Sequence, residues 1–147
     1  NIMKQKKIMK ILICGLPGSG KTYLAQRLQK QLECAWYNAD SIRNMANDWD
    51  FSGPGRRRQA ERMNTFANFE HKRGRTVICD FVCPTCETRK EFDADITIWM
   101  DTITTGRFED TNKIFENPKD WDIRVDKFET EEAIEEIARV LKEEYNV

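Results

Sequence analysis

The sequence predicts an α/β fold in which a mostly parallel sheet of about five strands lies between two layers of helices. Short apolar runs, typical of buried strands, alternate along the chain with segments of helical periodicity. The first apolar run is followed by a glycine-rich segment and then by an amphipathic helix. Of the 147 residues, 39% are hydrophobic and 33% are charged, which is typical of a globular domain with a charged surface. We therefore expect one three-layer α/β/α domain over residues 1–147.

The glycine-rich segment Gly15–Thr22 has the sequence GLPGSGKT, which fits the pattern G-x-x-x-x-G-K-[ST] at every fixed position. The preceding residues 11–14 predict a buried strand, and leucines at every fourth position after the segment predict a helix. A strand, a glycine-rich loop and a helix N-terminus together form a cradle for phosphates, because backbone N–H groups and the helix dipole face the anion. The segment therefore predicts a P-loop nucleoside triphosphate hydrolase-like fold.

The same loop predicts individual contacts to a nucleoside triphosphate. Lys21 would neutralise the β- and γ-phosphates, and the Thr22 hydroxyl would hold Mg²⁺. The predicted nucleotide-binding residues of the loop are Gly15, Pro17, Gly18, Ser19, Gly20, Lys21 and Thr22. The loop alone does not choose between ATP and GTP.

The remaining elements follow from the same periodicities. The predicted strands cover residues 8–14, 35–37, 76–79, 96–100 and 123–125, the last as an edge strand. The predicted helices cover residues 20–32, 41–45 with Ser41 as cap, 56–72, and a C-terminal segment capped by Thr130. The turn-rich residues 47–55 predict an exposed loop, and the polar residues 102–120 predict a mobile lid. Residues 1–7 fall outside the predicted fold, as a disordered segment or a remnant of expression.

Three aspartates follow predicted strands at the edge of the sheet that holds the phosphate loop. They are Asp40, Asp80 and Asp101. Ligands of parallel α/β sheets bind at this edge, although each aspartate alone is equally well explained as a turn or a helix cap. Asp40, with Arg43 three residues later, suits an acceptor hydroxyl, and Asp80 resembles the aspartate that assists Mg²⁺ in many phosphate-loop proteins. Asp101 is the weakest of the three candidates.

Charge and cysteine usage exclude several classes of function. The net charge is −1, but residues 56–75 contain seven basic residues against two acidic ones. This basic patch either binds a second anionic substrate or is a solvated helix face.

The five cysteines are odd in number and lie in apolar surroundings, which is typical of reduced thiols in a cytoplasmic protein. Cys83 and Cys86 form a C-x-x-C pair without the second pair of a structural zinc site, and no apolar run of roughly 18 residues predicts a membrane span.

Several segments together resemble the adenylylsulfate kinases, which phosphorylate the 3′-hydroxyl of adenylyl sulfate with ATP. Besides the phosphate loop, residues 38–43 (NADSIR) resemble the D-G-D-N-V-R segment of that family. Phe51 with Arg56 is similar to its F-S-x-x-x-R pattern, and residues 81–84 (FVCP) with Arg89 resemble its F-I-S-P loop. Met100-Asp101-Thr102 resembles the V-D-T segment that opens its lid. The likeness runs almost from end to end.

The resemblance implies ATP as phosphate donor, Mg²⁺ as cofactor and adenylyl sulfate as acceptor, in a cytoplasmic protein and a possible homodimer. It implies that Asp40 is the catalytic aspartate and that Lys21 stabilises the transferring phosphoryl group. It adds Arg107 in the lid to the nucleotide-binding residues, and gives Mg²⁺ to Thr22 and Asp80. The implied substrate-binding residues are Asp40, Arg43, Phe51, Arg56, Gln59, Val82, Cys83 and Phe115.

Some positions depart from the family pattern. Asn38 replaces the first aspartate of D-G-D, Gln59 replaces an asparagine, and Cys83 replaces the serine of F-I-S-P. The lid pattern R-D-x-K-G-L-Y becomes RFEDTNK over residues 107–113. Two alternatives to an adenylylsulfate kinase therefore stay open. One is a kinase of another hydroxyl, such as the 5′-end of a polynucleotide, whose backbone the basic patch would follow. The other is a non-catalytic nucleotide-binding module, which the altered lid favours.

Overall fold

The computed structural model of the protein describes residues 5–128 and 130–147. Five strands form one sheet, in the spatial order β2-β3-β1-β4-β5, and all four neighbouring pairs are parallel. The strands are β1 (Lys10–Cys14), β2 (Ala35–Asn38), β3 (Val77–Asp80), β4 (Ile96–Met100) and β5 (Ile123–Val125). The predicted α/β sheet of five strands is therefore confirmed.

Six helices accompany the sheet within the described residues. They are α1 (Lys21–Leu32), α2 (Ala39–Ala46), α3 (Gly53–Lys72), α4 (Cys86–Phe92), α5 (Glu109–Ile114) and α6 (Glu131–Glu144). Helices α1 and α6 pack against each other and against one face of the sheet. Helices α3 and α4 contribute Met63, Ala67 and Phe92 to the core on the other face. The protein thus has the predicted three layers.

The central strand β1 explains how the two cores are built. Its side chains alternate between the faces, so that Ile11 and Ile13 enter the core beside α1 and α6. Leu12 and Cys14 enter the core beside α3. All four side chains are fully buried, which is why a central parallel strand is apolar at consecutive positions. This burial fixes the carboxyl end of β1, from which the phosphate loop leaves the sheet.

The structure corrects the predicted starts of two helices. Helix α2 begins at Ala39 instead of Ser41, because the side-chain oxygen of Asn38 accepts a hydrogen bond from the Ser41 backbone N–H at 2.9 Å and so caps the helix. Helix α3 begins at Gly53, inside the predicted loop, and is capped by Ser52. Pro54 is compatible with this start, since the first N–H groups of a helix have no intrahelical partner. Asp40 therefore lies in the first turn of a helix.

Two short helices lie where the sequence predicted none. Helix α4 begins with a capping box in which Thr85 and Thr88 bond to each other's backbone N–H groups at 3.1 Å. Helix α5 lies inside residues 102–120, and the mobile lid that the sequence predicts for these residues stays a prediction.

Residues 1–4 of the expected disordered segment lie outside the described residues, whereas the backbone N–H of Lys7 donates to the carbonyl oxygen of Asn146 at 2.7 Å. None of the helices over 5–128 and 130–147 combines the length and the apolar character that a membrane span requires.

The five cysteines are free thiols that differ in accessibility. Cys14, Cys34, Cys79 and Cys83 are buried, and Cys86 is partly exposed. Burial raises the pKa of Cys14 to about 11 and that of Cys83 to about 12, so that little thiolate forms at pH 8.

We expect one thiol of the native protein to react rapidly with a thiol-specific disulfide reagent at pH 8, because only Cys86 offers the reagent an accessible sulfur. The four buried thiols should react at the rate of unfolding or local opening. The release of the chromophore measures both phases. The Cys86→Ser variant should lose the rapid phase alone, and a rapid phase of two or more thiols would contradict the described burial.

Candidate active site

The phosphate loop connects β1 to α1 through positions that require glycine. A Cβ at Gly15 would lie 2.7 Å from Ser19 Oγ and 2.8 Å from the carbonyl oxygen of Met100, so no larger residue fits. Gly20 caps α1 with a φ of 98°, in the left-handed region that favours glycine. The loop also receives a hydrogen bond from the Thr102 hydroxyl to the Ser19 carbonyl oxygen at 2.7 Å. The segment that follows β4 therefore helps to hold the loop in shape.

Two polar groups of this loop are arranged for an anion. The Ser19 hydroxyl is buried and has no hydrogen-bond partner among the described residues, which is costly unless a ligand supplies one. The Lys21 ammonium donates to the carbonyl oxygens of Gly15 at 3.0 Å and Leu16 at 2.9 Å. A bound phosphate would give the ammonium a charged acceptor in place of two neutral ones. The loop thus fits the triphosphate of a nucleotide.

The electrostatic surroundings of Lys21 support the same function. Burial lowers the pKa of its ammonium to about 8, against the opposing effects of the Asp80 and Asp40 carboxylates. The Arg107 guanidinium, which is exposed, lowers that pKa further. A negative ligand would reverse this shift. The Asp40 carboxylate and the Arg107 guanidinium thus both act electrostatically on Lys21.

A network of oxygens and N–H groups surrounds Asp80 at the end of β3. Its carboxylate accepts hydrogen bonds from the Thr22 hydroxyl at 3.0 Å, the Trp36 indole N–H at 2.6 Å and the Asn38 amide at 3.1 Å. Asp80 is 1% exposed, and burial raises its pKa while these hydrogen bonds lower it. The hydroxyl of Thr22 and the carboxylate of Asp80 are the oxygen ligands that Mg²⁺ prefers. The two residues predicted for Mg²⁺ are therefore adjacent.

Asn38 acts in this network at the position where the resembling family has aspartate. Its amide donates to Thr22 Oγ1 at 3.0 Å as well as to Asp80. The parallel register pairs Asn38 with Asp80 across β2 and β3, which explains the contact. A second carboxylate here would repel that of Asp80, whereas an amide stabilises it. Asn38 is thus compatible with a working metal site.

The predicted acceptor residues begin at the start of α2. Asp40 is exposed, is the second residue after β2 and lies on the same sheet edge as the phosphate loop. The Phe51 ring is 53% exposed, with the guanidinium carbon of Arg43 at 4.3 Å from its centroid and that of Arg56 at 5.6 Å. Arg56 also donates to the Phe51 carbonyl oxygen at 2.8 Å. An exposed aromatic ring beside a cation suits a nucleotide with an anionic group.

Arg43 and Gln59 are buried, and their polar groups bond to backbone oxygens of the protein. Arg43 is 5% exposed and donates to the carbonyl oxygens of Asp48 at 2.8 Å and Asp50 at 3.2 Å. Gln59 is equally buried, and its amide donates to the Ala39 carbonyl oxygen at 2.9 Å. Arg43 therefore supports the segment before Phe51, and Gln59 holds α3 against the start of α2. In this structure both bond to backbone oxygens near other residues predicted to bind the acceptor.

Val82 and Cys83 lie in the loop after β3, which Arg89 connects to Phe115. Val82 is partly exposed, and Cys83 is buried with a φ of 44°. The carbonyl oxygen of Cys83 accepts from Arg89 at 3.0 Å, and the guanidinium carbon of Arg89 lies 5.2 Å from the centroid of the Phe115 ring. Asp101, in contrast, is held by Arg124 at 2.7 Å. Its carboxylate is occupied by this ion pair.

Known proteins identify the family of this chain. The family model described as adenylylsulphate kinase matches residues 7–111, which include the phosphate loop, α2, α3 and the end of β3. The chain belongs to the adenylylsulfate kinase family. The adenylyl-sulfate kinase of Burkholderia ambifaria is 32% identical over 93 residues, which are 59% of this chain and 51% of the relative. The chain therefore spans about half the length of that curated relative.

Solved adenylylsulfate (APS) kinases have the same fold. The Mycobacterium tuberculosis APS kinase in complex with AMPPNP and APS matches with a TM-score of 0.76 at 19% identity, over 93% of this chain and 99% of that one. The hexameric APS kinase from Thiobacillus denitrificans matches with a TM-score of 0.76 at 20% identity, over 95% of this chain and 30% of that one. Identities this low support the fold alone. The possible homodimer therefore stays a prediction for this chain.

Three residues that the sequence did not indicate lie beside the predicted site of this adenylylsulfate kinase family member. Thr111 and Asn112 of α5 bond to Arg56 and to Gly106, respectively. The exposed Phe128 ring lies against Gly20, where a Cβ would meet it at 3.7 Å. An aromatic residue in a polar segment was the available signal for Phe128. The partners of Thr111 and Asn112 are distant in sequence or depend on a loop, so no local pattern indicated them.

Three of the seven basic residues at 56–75 are paired with carboxylates in this family member. Arg58 and Arg62 both pair with Asp48 at 2.6 Å, and Arg75 pairs with Glu70 at 3.1 Å. These ion pairs are partly exposed and offset part of the positive charge of the patch. This pairing favours the interpretation of the patch as a solvated helix face over its interpretation as a surface that follows a nucleic-acid backbone. Arg56 is not paired with a carboxylate among the described residues, and its hydrogen-bond partners there are neutral oxygens.

Proposed function

We propose that this protein transfers the γ-phosphate of ATP to the 3′-hydroxyl of adenylyl sulfate. The observation that carries the proposal is the arrangement of two complementary surfaces along one sheet edge. The phosphate loop with Lys21 suits the donor, and Phe51 with Arg56 suits an anionic nucleotide as acceptor. Asp40 lies at the same edge and acts electrostatically on Lys21. Family membership supports the same reaction.

On the donor side, the chain's own residues bind and neutralise the triphosphate. The backbone of the loop and the Ser19 hydroxyl hold the phosphates, and Lys21 balances the charge that spreads over the transferring group. Thr22 and Asp80 would hold Mg²⁺, which supplies further positive charge at the β- and γ-phosphates. Trp36 and Asn38 keep the Asp80 carboxylate oriented.

On the acceptor side, Asp40 takes or orients the proton of the attacking hydroxyl. Phe51 stacks on the adenine, and Arg56 pairs with the phosphosulfate through a planar guanidinium that matches its oxygens. Five further residues complete the acceptor-binding surface. Arg43 and Gln59 do so by supporting its backbone. The other three are Val82, Cys83 and Phe115. Arg107 extends the positive charge near Lys21 over the nucleotide. The chemistry needs positioning and charge compensation more than covalent catalysis.

Release of ADP, measured with and without acceptor, tests this proposal. We expect turnover with adenylyl sulfate well above the background hydrolysis of ATP. A 5′-hydroxyl oligonucleotide should give background turnover alone, because Arg58 and Arg62 of α3 are already paired with Asp48. Binding of ATP without transfer to adenylyl sulfate would contradict the proposal and favour a non-catalytic module. Faster transfer to the oligonucleotide would favour the polynucleotide alternative.

Loss of the Phe51 ring should weaken the acceptor and spare the donor. Stacking of one base on an aromatic ring contributes about 1–3 kcal/mol, so Phe51→Ala should raise KM for adenylyl sulfate about tenfold or more. The KM for ATP should stay within about twofold, and steady-state kinetics with each substrate varied measure both. Phe69→Ala is the matched control, since Phe69 is similarly exposed on α3 with Arg73 over its ring. Equal effects of the two substitutions would contradict the role of Phe51.

A further inference from the structure

Arg56 is held by two groups that lie far apart in the sequence. Its Nε donates to the Phe51 carbonyl oxygen at 2.8 Å, and its Nη2 donates to the Thr111 hydroxyl at 3.2 Å. Thr111 belongs to α5, inside the predicted lid, and is only 4% exposed. A buried hydroxyl of the lid segment thus bonds to the cation of the acceptor surface.

Helix α5 gives Thr111 a fixed position. Asn112, the next residue, exchanges two hydrogen bonds of 2.8 Å with the backbone of Gly106. Gly106 lies beside the phosphate loop, since a Cβ there would be 3.2 Å from the Pro17 carbonyl oxygen. Beyond the helix, the Glu116 backbone N–H donates to Pro84 at 2.7 Å. The segment that contains Thr111 is therefore fastened to the donor loop on one side and to the loop after β3 on the other.

Two fixed N–H groups determine the plane of a guanidinium. An arginine has five N–H bonds in a rigid planar fork, so hydrogen bonds at Nε and Nη2 orient the whole group. The other three N–H bonds of Arg56 have no hydrogen-bond partner within residues 5–128 and 130–147, and an anion is their natural acceptor. The two hydrogen bonds already order the Arg56 side chain, so an anion that binds it does not have to impose that order.

We propose that Thr111 is the positioning residue for Arg56, presetting its guanidinium for the anionic group of the acceptor. Thr111 does not touch the reacting atoms, and it acts through Arg56 alone. The lid helix thereby takes part in the choice of acceptor. This inference rests on the proposed function, because it takes adenylyl sulfate as the ligand of Arg56.

The hydroxyl can be removed with little change in shape. Thr111→Val lacks the acceptor oxygen, whereas Thr111→Ser retains it and is the matched control. A hydrogen bond to a charged group typically changes an equilibrium about tenfold, so Thr111→Val should raise KM for adenylyl sulfate by about that factor. The kcat and the KM for ATP should stay within about twofold, and Thr111→Ser should restore the acceptor KM. An unchanged acceptor KM, or equal increases of both KM values, would overturn the inference.

A second substitution separates positioning from general packing. In an Arg56→Lys background the planar fork is absent, so Thr111→Val should add less than about twofold to the acceptor KM. Effects that multiply independently would show that Thr111 acts on something other than Arg56, against the inference. Thermal unfolding of each variant checks that the fold is retained.

Equilibrium binding of adenylyl sulfate, measured by calorimetry without ATP, distinguishes this inference from the proposed reaction. Binding that weakens about tenfold in Thr111→Val supports the role of Thr111, whether or not the protein turns over. Equal affinities of wild type and Thr111→Val would overturn that role even if transfer to adenylyl sulfate occurs. Absence of binding to the wild type would overturn both.

Discussion

Replacing Asp40 by asparagine should lower kcat for transfer to adenylyl sulfate by about 10²–10⁴-fold, the range that general-base groups typically supply. Asparagine has nearly the same shape and keeps an oxygen near the acceptor, but it cannot take the proton of the attacking hydroxyl. The affinity for ATP should change by less than about threefold, because Asp40 lies in the first turn of α2 and outside the phosphate loop. Steady-state kinetics and equilibrium binding of a fluorescent ATP analogue measure the two effects.

Asp101 provides the matched control for this substitution. It also follows a strand at the same sheet edge, but its carboxylate is paired with Arg124. Asp101→Asn should therefore leave kcat within a few-fold of the wild type. A comparable loss of kcat in both variants, or near-wild-type activity of Asp40→Asn, would remove Asp40 from the catalytic role.

Replacing Lys21 by alanine should lower kcat/KM for ATP by about 10³-fold or more. The substitution removes the charge that balances the β- and γ-phosphates, and the loss of one such stabilising group alone costs about 10²–10³-fold in kcat. Lys30→Ala, an exposed lysine of the same helix, should leave both constants within about twofold. Similar losses in the two variants would contradict a specific role of Lys21.

Because the pKa of Lys21 is lowered, we expect the binding of ATP to be accompanied by proton uptake. With a pKa of about 8 in the free protein, Lys21 is mostly uncharged at pH 8.5 and charged at pH 6.5. A bound triphosphate favours the charged form and raises that pKa, so binding at pH 8.5 should take up a proton fraction that is absent at pH 6.5. Calorimetry of ATP binding in buffers of different ionisation enthalpy measures the uptake. Persistence of the same uptake in Lys21→Ala would assign it to another group.

The donor half of the site could be predicted because its signals are local. The phosphate loop is one contiguous pattern, and the apolar run before it predicts the buried strand whose end it leaves. Asp80 could be predicted from the rule that ligands meet the carboxyl ends of parallel strands. The contacts of Asn38 could not, because they depend on the register that pairs β2 with β3.

The acceptor half was harder to predict because its residues depend on distant partners. Arg43 and Gln59 match positions of the family pattern, yet their polar groups bond to backbone oxygens that only the folded chain brings near. Helix α4 has Phe92 as its one buried residue, so it shows no apolar stripe in the sequence. The bond of Thr111 to Arg56 spans 55 residues and leaves no local signal.

The most direct test of the central claim is the identity of the phosphorylated product. The protein is incubated with ATP and adenylyl sulfate, and the nucleotides are separated and characterised by mass spectrometry and phosphorus NMR. We expect ADP and an adenylyl sulfate with one additional phosphate at the 3′-position, and no such product from a 3′-deoxy analogue. Phosphate at any other position, or ADP formed at the same rate without adenylyl sulfate, would contradict the account.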